Sequence, residues 1–194
     1  MSTRVTLSRK TGETEITGAL DLDGSGEARV DTGLGFLDHM LSALAKHSRF
    51  DIDLDISGDL HVDDHHVVED AAIVLGRGLD QALGDRSGIA RFGYAYAPLD
   101  EALTRAVVDL SGRGWAEVDL PFSREVVGDV ATENLIHFLT SLAVEARMSL
   151  HVDSLRGFNN HHMAESAFKA LALALSQAVA PRDGGVPSTK GSLT

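Results

Sequence analysis

Nine histidines stand at positions 39, 47, 61, 65, 66, 137, 151, 161 and 162, and six of them form a pattern. His65-His66-Val67-Val68-Glu69 is matched by His161-His162-Met163-Ala164-Glu165, each at the head of an apolar stretch with helical spacing. Upstream of each doublet lies one more histidine inside an apolar helix, His39 before the first and His137 before the second. Residues i and i+4 share a helix face, so His65 projects with Glu69 and His161 with Glu165. Adjacent histidines diverge by about 100°, so one helix can offer His65 to one ion and His66 to another. The pooled set is His39, His65, His66, Glu69, His137, His161, His162 and Glu165. Imidazoles with carboxylates suit Mn, Fe, Co, Ni or Zn better than Ca or Mg. The set is enough for two ions with open positions, which a catalytic metal needs. A lone histidine on an apolar helix is ordinarily a packed or capping residue. It is the matched doublets that carry the metal reading. His61 is expected at the surface and His151 as a structural strand residue. His47, two turns beyond His39, is open to either reading.

The elements that must hold these residues are also duplicated. At an offset of 98, His39 meets His137, Arg49 meets Arg147 and Asp55 meets Asp153. After a two-residue loss, an offset of 96 aligns His65, His66, Glu69, Leu75 and Gln81 with His161, His162, Glu165, Leu171 and Gln177. Alternation predicts strands over 5–9, 15–22, 27–31 and 50–56, and helical spacing predicts helices over 36–47 and 65–83. The second half repeats the order: strands over 92–97, 103–110, 115–120 and 148–152, helices over 134–146 and 161–179. Asp63 or Asp64 is the expected N-cap of the second helix. The expected fold is α+β, two duplicated βββαβα halves, each a sheet covered by two helices. The halves are expected to span 1–87 and 88–194 within one compact unit. Asp100-Glu101 reads as a hairpin turn, and Trp115, the only tryptophan, as core.

The composition excludes several classes. The chain has 194 residues, 43% of them apolar, and a net charge of −12. That fits a globular protein and argues against nucleic acid and anionic membranes as partners. No cysteine is present, so a thiolate zinc site and a cysteine nucleophile are ruled out. No apolar run reaches the roughly 20 residues of a transmembrane helix, and the first residues do not read as a signal peptide. A metal-dependent hydrolase, a metal-storage shell and an assembly domain with structural metals remain rival readings.

Six motifs run along the chain: Thr32-Gly33-Leu34-Gly35-Phe36-Leu37-Asp38-His39, Asp63-Asp64-His65-His66-Val67-Val68-Glu69-Asp70, Ala97-Pro98-Leu99-Asp100-Glu101, Asp109-Leu110-Ser111-Gly112-Arg113, Asn159-Asn160-His161-His162 and Pro187-Ser188-Thr189-Lys190-Gly191. Together they resemble those of the imidazoleglycerol-phosphate dehydratase family. The resemblance covers nearly the whole chain and points to the monofunctional form. It implies a cytoplasmic hydro-lyase of histidine biosynthesis, and trimers assembled into a 24-subunit shell with two Mn ions at each interface site. The eight metal ligands it implies are those of the repeat. It also implies a substrate-contacting Glu13, a substrate-side His47, and phosphate-side Arg91, Arg113, Lys169, Ser188, Thr189 and Lys190 in a C-terminal phosphate-binding tail. The implied reaction dehydrates D-erythro-1-(imidazol-4-yl)glycerol 3-phosphate to 3-(imidazol-4-yl)-2-oxopropyl phosphate through a metal-bound imidazolate. Glu13, His47, Glu69 and Glu165 are the candidates for proton transfer, and nothing in the residues chooses among them.

Overall fold

A computed structural model describes residues 3–186, 188, 189, 191 and 193. The first half comprises β1 (Arg4–Lys10), β2 (Thr14–Asp21), β3 (Ala28–Asp31), α1 (Gly35–Ser48), β4 (Asp51–Gly58) and α2 (His65–Leu83). The second comprises β5 (Phe92–Leu99), β6 (Ala102–Asp109), β7 (Trp115–Asp119), β8 (Val126–Val127), β9 (Val130–Ala131), α3 (Thr132–Glu145), β10 (Ser149–Arg156) and α4 (Asn160–Ala178). The expected elements are all present. The β8–β9 hairpin is additional, too short for its two-residue strands to leave an alternating pattern.

The two four-stranded sheets share one topology. Their orders are β1-β2-β4-β3 and β5-β6-β10-β7, with the last strand parallel to its neighbour and the others antiparallel. Strand β4 shows why one face of each sheet turns inward: Ile52, Leu54 and Ile56 are buried while Asp53 and Asp55 face out. In β7 the same alternation buries none of the outward row Trp115, Glu117 and Asp119. Trp115 is 61% exposed, which corrects its expected place in the core; Ala116 and Val118 hold the inward phase.

Helices α1 and α2 cover the first sheet, α3 and α4 the second, and the helices then pair across the halves, α1 with α4 and α2 with α3. The paired helices run the same way. His65 meets Asn134 near the starts of α2 and α3, and Arg77 meets Glu145 farther along both. Leu44, Leu75, Leu79, Leu142 and Leu175 converge from all four helices on one apolar centre. Close approach of α2 and α3 depends on Gly76, where a Cβ would stand 2.7 Å from Glu145 Cβ and 2.9 Å from the Leu142 carbonyl oxygen. The duplication extends to backbone detail: Arg49 and Arg147 both hold left-handed φ (66° and 52°) just after α1 and α3. Among the described residues no helix is long and apolar enough to cross a membrane.

Two stability predictions follow from this packing. Gly76→Val should cost about 1–3 kcal/mol through overpacking, read as a lower urea midpoint. Asp51 Oδ1 accepts the backbone N–H groups of Glu27, Ser25 and Gly26 at 2.8–3.0 Å. These bonds, that of Glu27 foremost, hold its carboxyl below the ordinary 3.8. A depressed carboxyl stabilises the fold fully above its unfolded pKa and loses that contribution as pH falls through the folded one. The stability gap between wild type and Asp51→Asn should therefore shrink on acidification below about pH 4, in denaturation curves across pH.

Candidate metal centre

Helix pairing across the halves builds two equivalent clusters. His39 on α1 meets His161 and Glu165 on α4, and His137 on α3 meets His65 and Glu69 on α2. Within each trio the ligand atoms lie within 4.8 Å of one another. His39 Nε2 and His161 Nε2 stand 3.1 and 3.2 Å from Glu165 Oε2, and His137 Nε2 stands 2.8 Å from Glu69 Oε1. Two imidazole nitrogens and a carboxylate oxygen in reach of one point fit a borderline divalent ion. All six residues are exposed or partly exposed, so each centre opens to solvent.

The remaining two histidines of the doublets lie outside these trios. His66 and His162 turn away, as the 100° divergence requires. His66 Nδ1 lies 3.1 Å from both oxygens of Asp59, and His162 Nδ1 lies 2.7 Å from Glu101 Oε2. Each carboxylate raises the pKa of its histidine, and in return His162 holds Glu101 at about 2. His65 is oriented differently: its Nδ1 lies 3.0 Å from Asn134 Oδ1, and Asn134 Nδ2 donates to Asp64 Oδ1. An Nδ1 so engaged leaves Nε2 as the donor nitrogen. Asp59, Glu101 and Asn134 were not singled out as site residues by the sequence. Glu101 reads as a turn residue and as part of one family motif, without a role, and the repeat offers no partner for Asp59.

Two helix N-termini are capped by their own flanks, and two take an acceptor from elsewhere in the fold. Asp64 occupies the N-cap of α2, but its side chain serves α3, accepting the Ala131 N–H, while Asp63 accepts that of His65. Asp129, in the β8–β9 hairpin, accepts the Gly35 and Phe36 N–H groups that open α1. Asn159 caps α4 through the N–H groups of His161 and His162. Buried Asp70, next to Glu69, receives Arg9 Nε at 2.7 Å and the Thr14 hydroxyl, tying the β1–β2 hairpin to α2.

The other expected site residues divide into three groups. Lys169 joins the first cluster, its Nζ 2.6 Å from Glu165 Oε1. Burial raises the Glu165 pKa, but Lys169 and His39 outweigh it and hold the carboxyl at about 2. Half-buried His47 lies in the same field; burial first, then Lys169, lowers its pKa. Glu13 is exposed at the β1–β2 hairpin, close enough for its charge to act on His66. Arg91 and Arg113 stand apart from both clusters. Arg91 forms a bidentate pair with Asp109 at 2.7 and 3.0 Å, and its backbone N–H reaches Ala178 at the far end of α4 from His161. Arg113 is exposed beside Gly112, against which the carbonyl of Leu193 closes. Ser188 and Thr189 belong to that C-terminal segment, and Lys190 lies outside the described residues. His61 and His151 are exposed and join neither cluster.

Fold and site together define a duplicated α+β protein with paired His/His/Glu centres suited to divalent metals. The family model for imidazoleglycerol-phosphate dehydratase matches residues 32–175. A relative of that name from Phytophthora nicotianae is 57% identical over 188 residues, 96% of this chain, and this chain spans 42% of its length. One from Chlorobium luteolum is 52% identical, over 98% of this chain and 95% of its own. The crystal structure of the Pyrococcus furiosus protein, in complex with (S)-C348, matches with a TM-score of 0.84 and 35% identity, covering 96% of this chain and all of that one. The Staphylococcus aureus dehydratase matches with a TM-score of 0.81 and 34% identity over 92% of this chain and all of its own. The chain belongs to the imidazoleglycerol-phosphate dehydratase family.

Lys169→Met removes the cation that opposes burial at Glu165 and depresses His47. Both pKa values should rise, Glu165 from about 2 and His47 toward its ordinary 6.5, in NMR pH titrations of the metal-free protein.

Proposed function

We propose that this chain is a metal-dependent hydro-lyase of histidine biosynthesis. It converts D-erythro-1-(imidazol-4-yl)glycerol 3-phosphate to 3-(imidazol-4-yl)-2-oxopropyl phosphate. The observation that carries the metal dependence is the convergence of two His/His/Glu trios in a chain of this family. His39, His161 and Glu165 would hold one ion and His65, His137 and Glu69 the other, with His66 and His162 completing the sets; Mn2+ is the proposed metal. When bound, the ions supply fixed positive charge that favours a deprotonated substrate ring, from which the hydroxyl departs more readily.

The chain's own residues have the proton to manage. The substrate must lose hydroxide from one carbon and a proton from the next. Glu13, His47, Glu69 and Glu165 are the proposed groups for this work, and two of them, Glu69 and Glu165, are already engaged in the clusters. His47, with its pKa lowered, is neutral at neutral pH and able to accept a proton. Glu13 is an exposed carboxylate with no hydrogen-bond or ion-pair partner among the described residues. The phosphate falls to Arg91, Arg113, Lys169, Ser188, Thr189 and Lys190, the arginines by their planar forks and the lysines as point charges.

The active site is proposed to form between subunits of a large homo-oligomer in the cytoplasm. What supports this is distance within one chain. Arg91 stands at the opposite end of α4 from His161, and α4, with 19 residues, is about 28 Å long. A substrate of this size cannot bridge that gap, so a phosphate role for Arg91 is met if a second copy brings this basic corner to the histidines.

Mass spectrometry of imidazoleglycerol phosphate with metal-stripped protein tests the reading. Loss of one water only after Mn2+ is restored is expected; no loss with Mn2+, Fe2+ or Zn2+ despite metal uptake would refute the activity. Glu13→Gln should lower turnover by about 10²–10⁴-fold, the usual worth of a general acid or base.

A further inference from the structure

The hairpins at the heads of the two halves end in the same residue type. Glu13 immediately precedes β2 and lines one pocket with Asp59, and Glu101 immediately precedes β6 and bonds His162. Their carboxylates are used differently. Glu101 is engaged at both oxygens: Oε2 lies 2.7 Å from His162 Nδ1, and Oε1 accepts the N–H groups of Phe158 (3.3 Å) and Asn159 (2.9 Å). Glu13 has no such partner among the described residues, and His66 Nδ1 is held by Asp59 instead.

The cause lies at the ends of β4 and β10. A bulge between Ser154 and Arg156 adds one residue to β10, so by strand register Ser57 matches Arg156, Gly58 matches Gly157 and Asp59 falls on Phe158. Gly157 has φ 148°, and a Cβ there would stand 2.7 Å from Met163 Cγ and 3.2 Å from Ala102 Cβ. Gly58 is covered in the same way in the first half, where a Cβ would meet Val67 Cγ2 and Thr14 Cγ2, so the two glycines correspond. In the next place the first half has Asp59, whose carboxylate reaches His66, while the second has Phe158, 79% exposed and with no carboxylate to offer His162.

We propose that Asp59 and Glu101 are positioning residues that do one job from non-equivalent places, and that this exchange is what leaves the Glu13 carboxylate uncommitted. Each fixes the Nδ1–H tautomer of the second histidine of its doublet and so leaves Nε2 as the donor nitrogen. The second half spends its hairpin carboxylate on this task. The first half has Asp59 for it, and its hairpin carboxylate remains for proton transfer on substrate. The proposal rests on the metal-site reading given above.

Calorimetric titration of Mn2+ into the metal-stripped full chain tests it. Glu101→Ala and Asp59→Ala should each weaken Mn2+ uptake roughly 10–100-fold, the usual effect of losing such a support, while Glu13→Ala leaves it unchanged. Glu101→Gln keeps a hydrogen-bond acceptor and should recover most of the loss. Imidazole 15N spectra of the metal-free protein give a reading independent of uptake. They should show the Nδ1–H tautomer at His162 lost in Glu101→Ala, and at His66 lost in Asp59→Ala, each without change at the other. Unchanged Mn2+ affinity in both variants, or a loss in Glu13→Ala as large as in Asp59→Ala, would overturn the proposal. Wild-type protein that takes up no Mn2+ would overturn the metal-site reading and the proposal with it.

Discussion

The parallel pairing of helices from opposite halves is the constraint on which the site depends. It sets the starts of α2 and α3 side by side, and brings α1 to the start of α4. Neither half alone brings a third ligand to its His-x-x-x-Glu pair. The arrangement carries an electrostatic cost, because it gathers helix N-termini, which present partial positive charge, around the imidazoles. The fold answers with acceptors. Asp63, Asp64, Asp129 and Asn159 take the free N–H groups, and Glu69 and Glu165 put carboxylates among the imidazoles. Lys169 shows the balance is fine: even with burial opposing it, Glu165 remains an anion with a pKa of about 2.

Much of this was legible in the chain. Strict alternation in 50–56 and the helical spacing after each doublet come from local sequence, and local sequence decides those elements. The trios were readable because duplication states the ligand pattern twice. What escaped depends on partners distant in sequence. The cap of α1 is Asp129, which stands on a hairpin whose strands are two residues long. Glu101 reads as a turn, which it is, but its reach to His162 exists only once β6 and α4 are packed. Trp115 was misplaced for another reason: burial on an edge strand follows the phase of the alternation, and residue size does not override it.

The outer faces of the two sheets show how far the halves have diverged. The first exposes the acidic row of β4, the second the aromatic Phe92, Tyr94, Tyr96 and Trp115. Inner faces and helices kept their pattern, since any change there meets the shared core. The second half also carries the hairpin that caps the first half's α1. Divergence has thus produced dependence as well as difference.

The cross-half composition of the trios has a genealogical consequence. Each trio joins the first helix of one half to the second helix of the other, which is the relation two identical chains have across a dyad. A solitary ancestral half would have owned ligands but no centre, and two copies meeting would have gained two centres at once. Fusion then removed the need to find a partner. It also freed the twin sites from sequence identity, so that one strand end could carry an aspartate while its counterpart carries a phenylalanine.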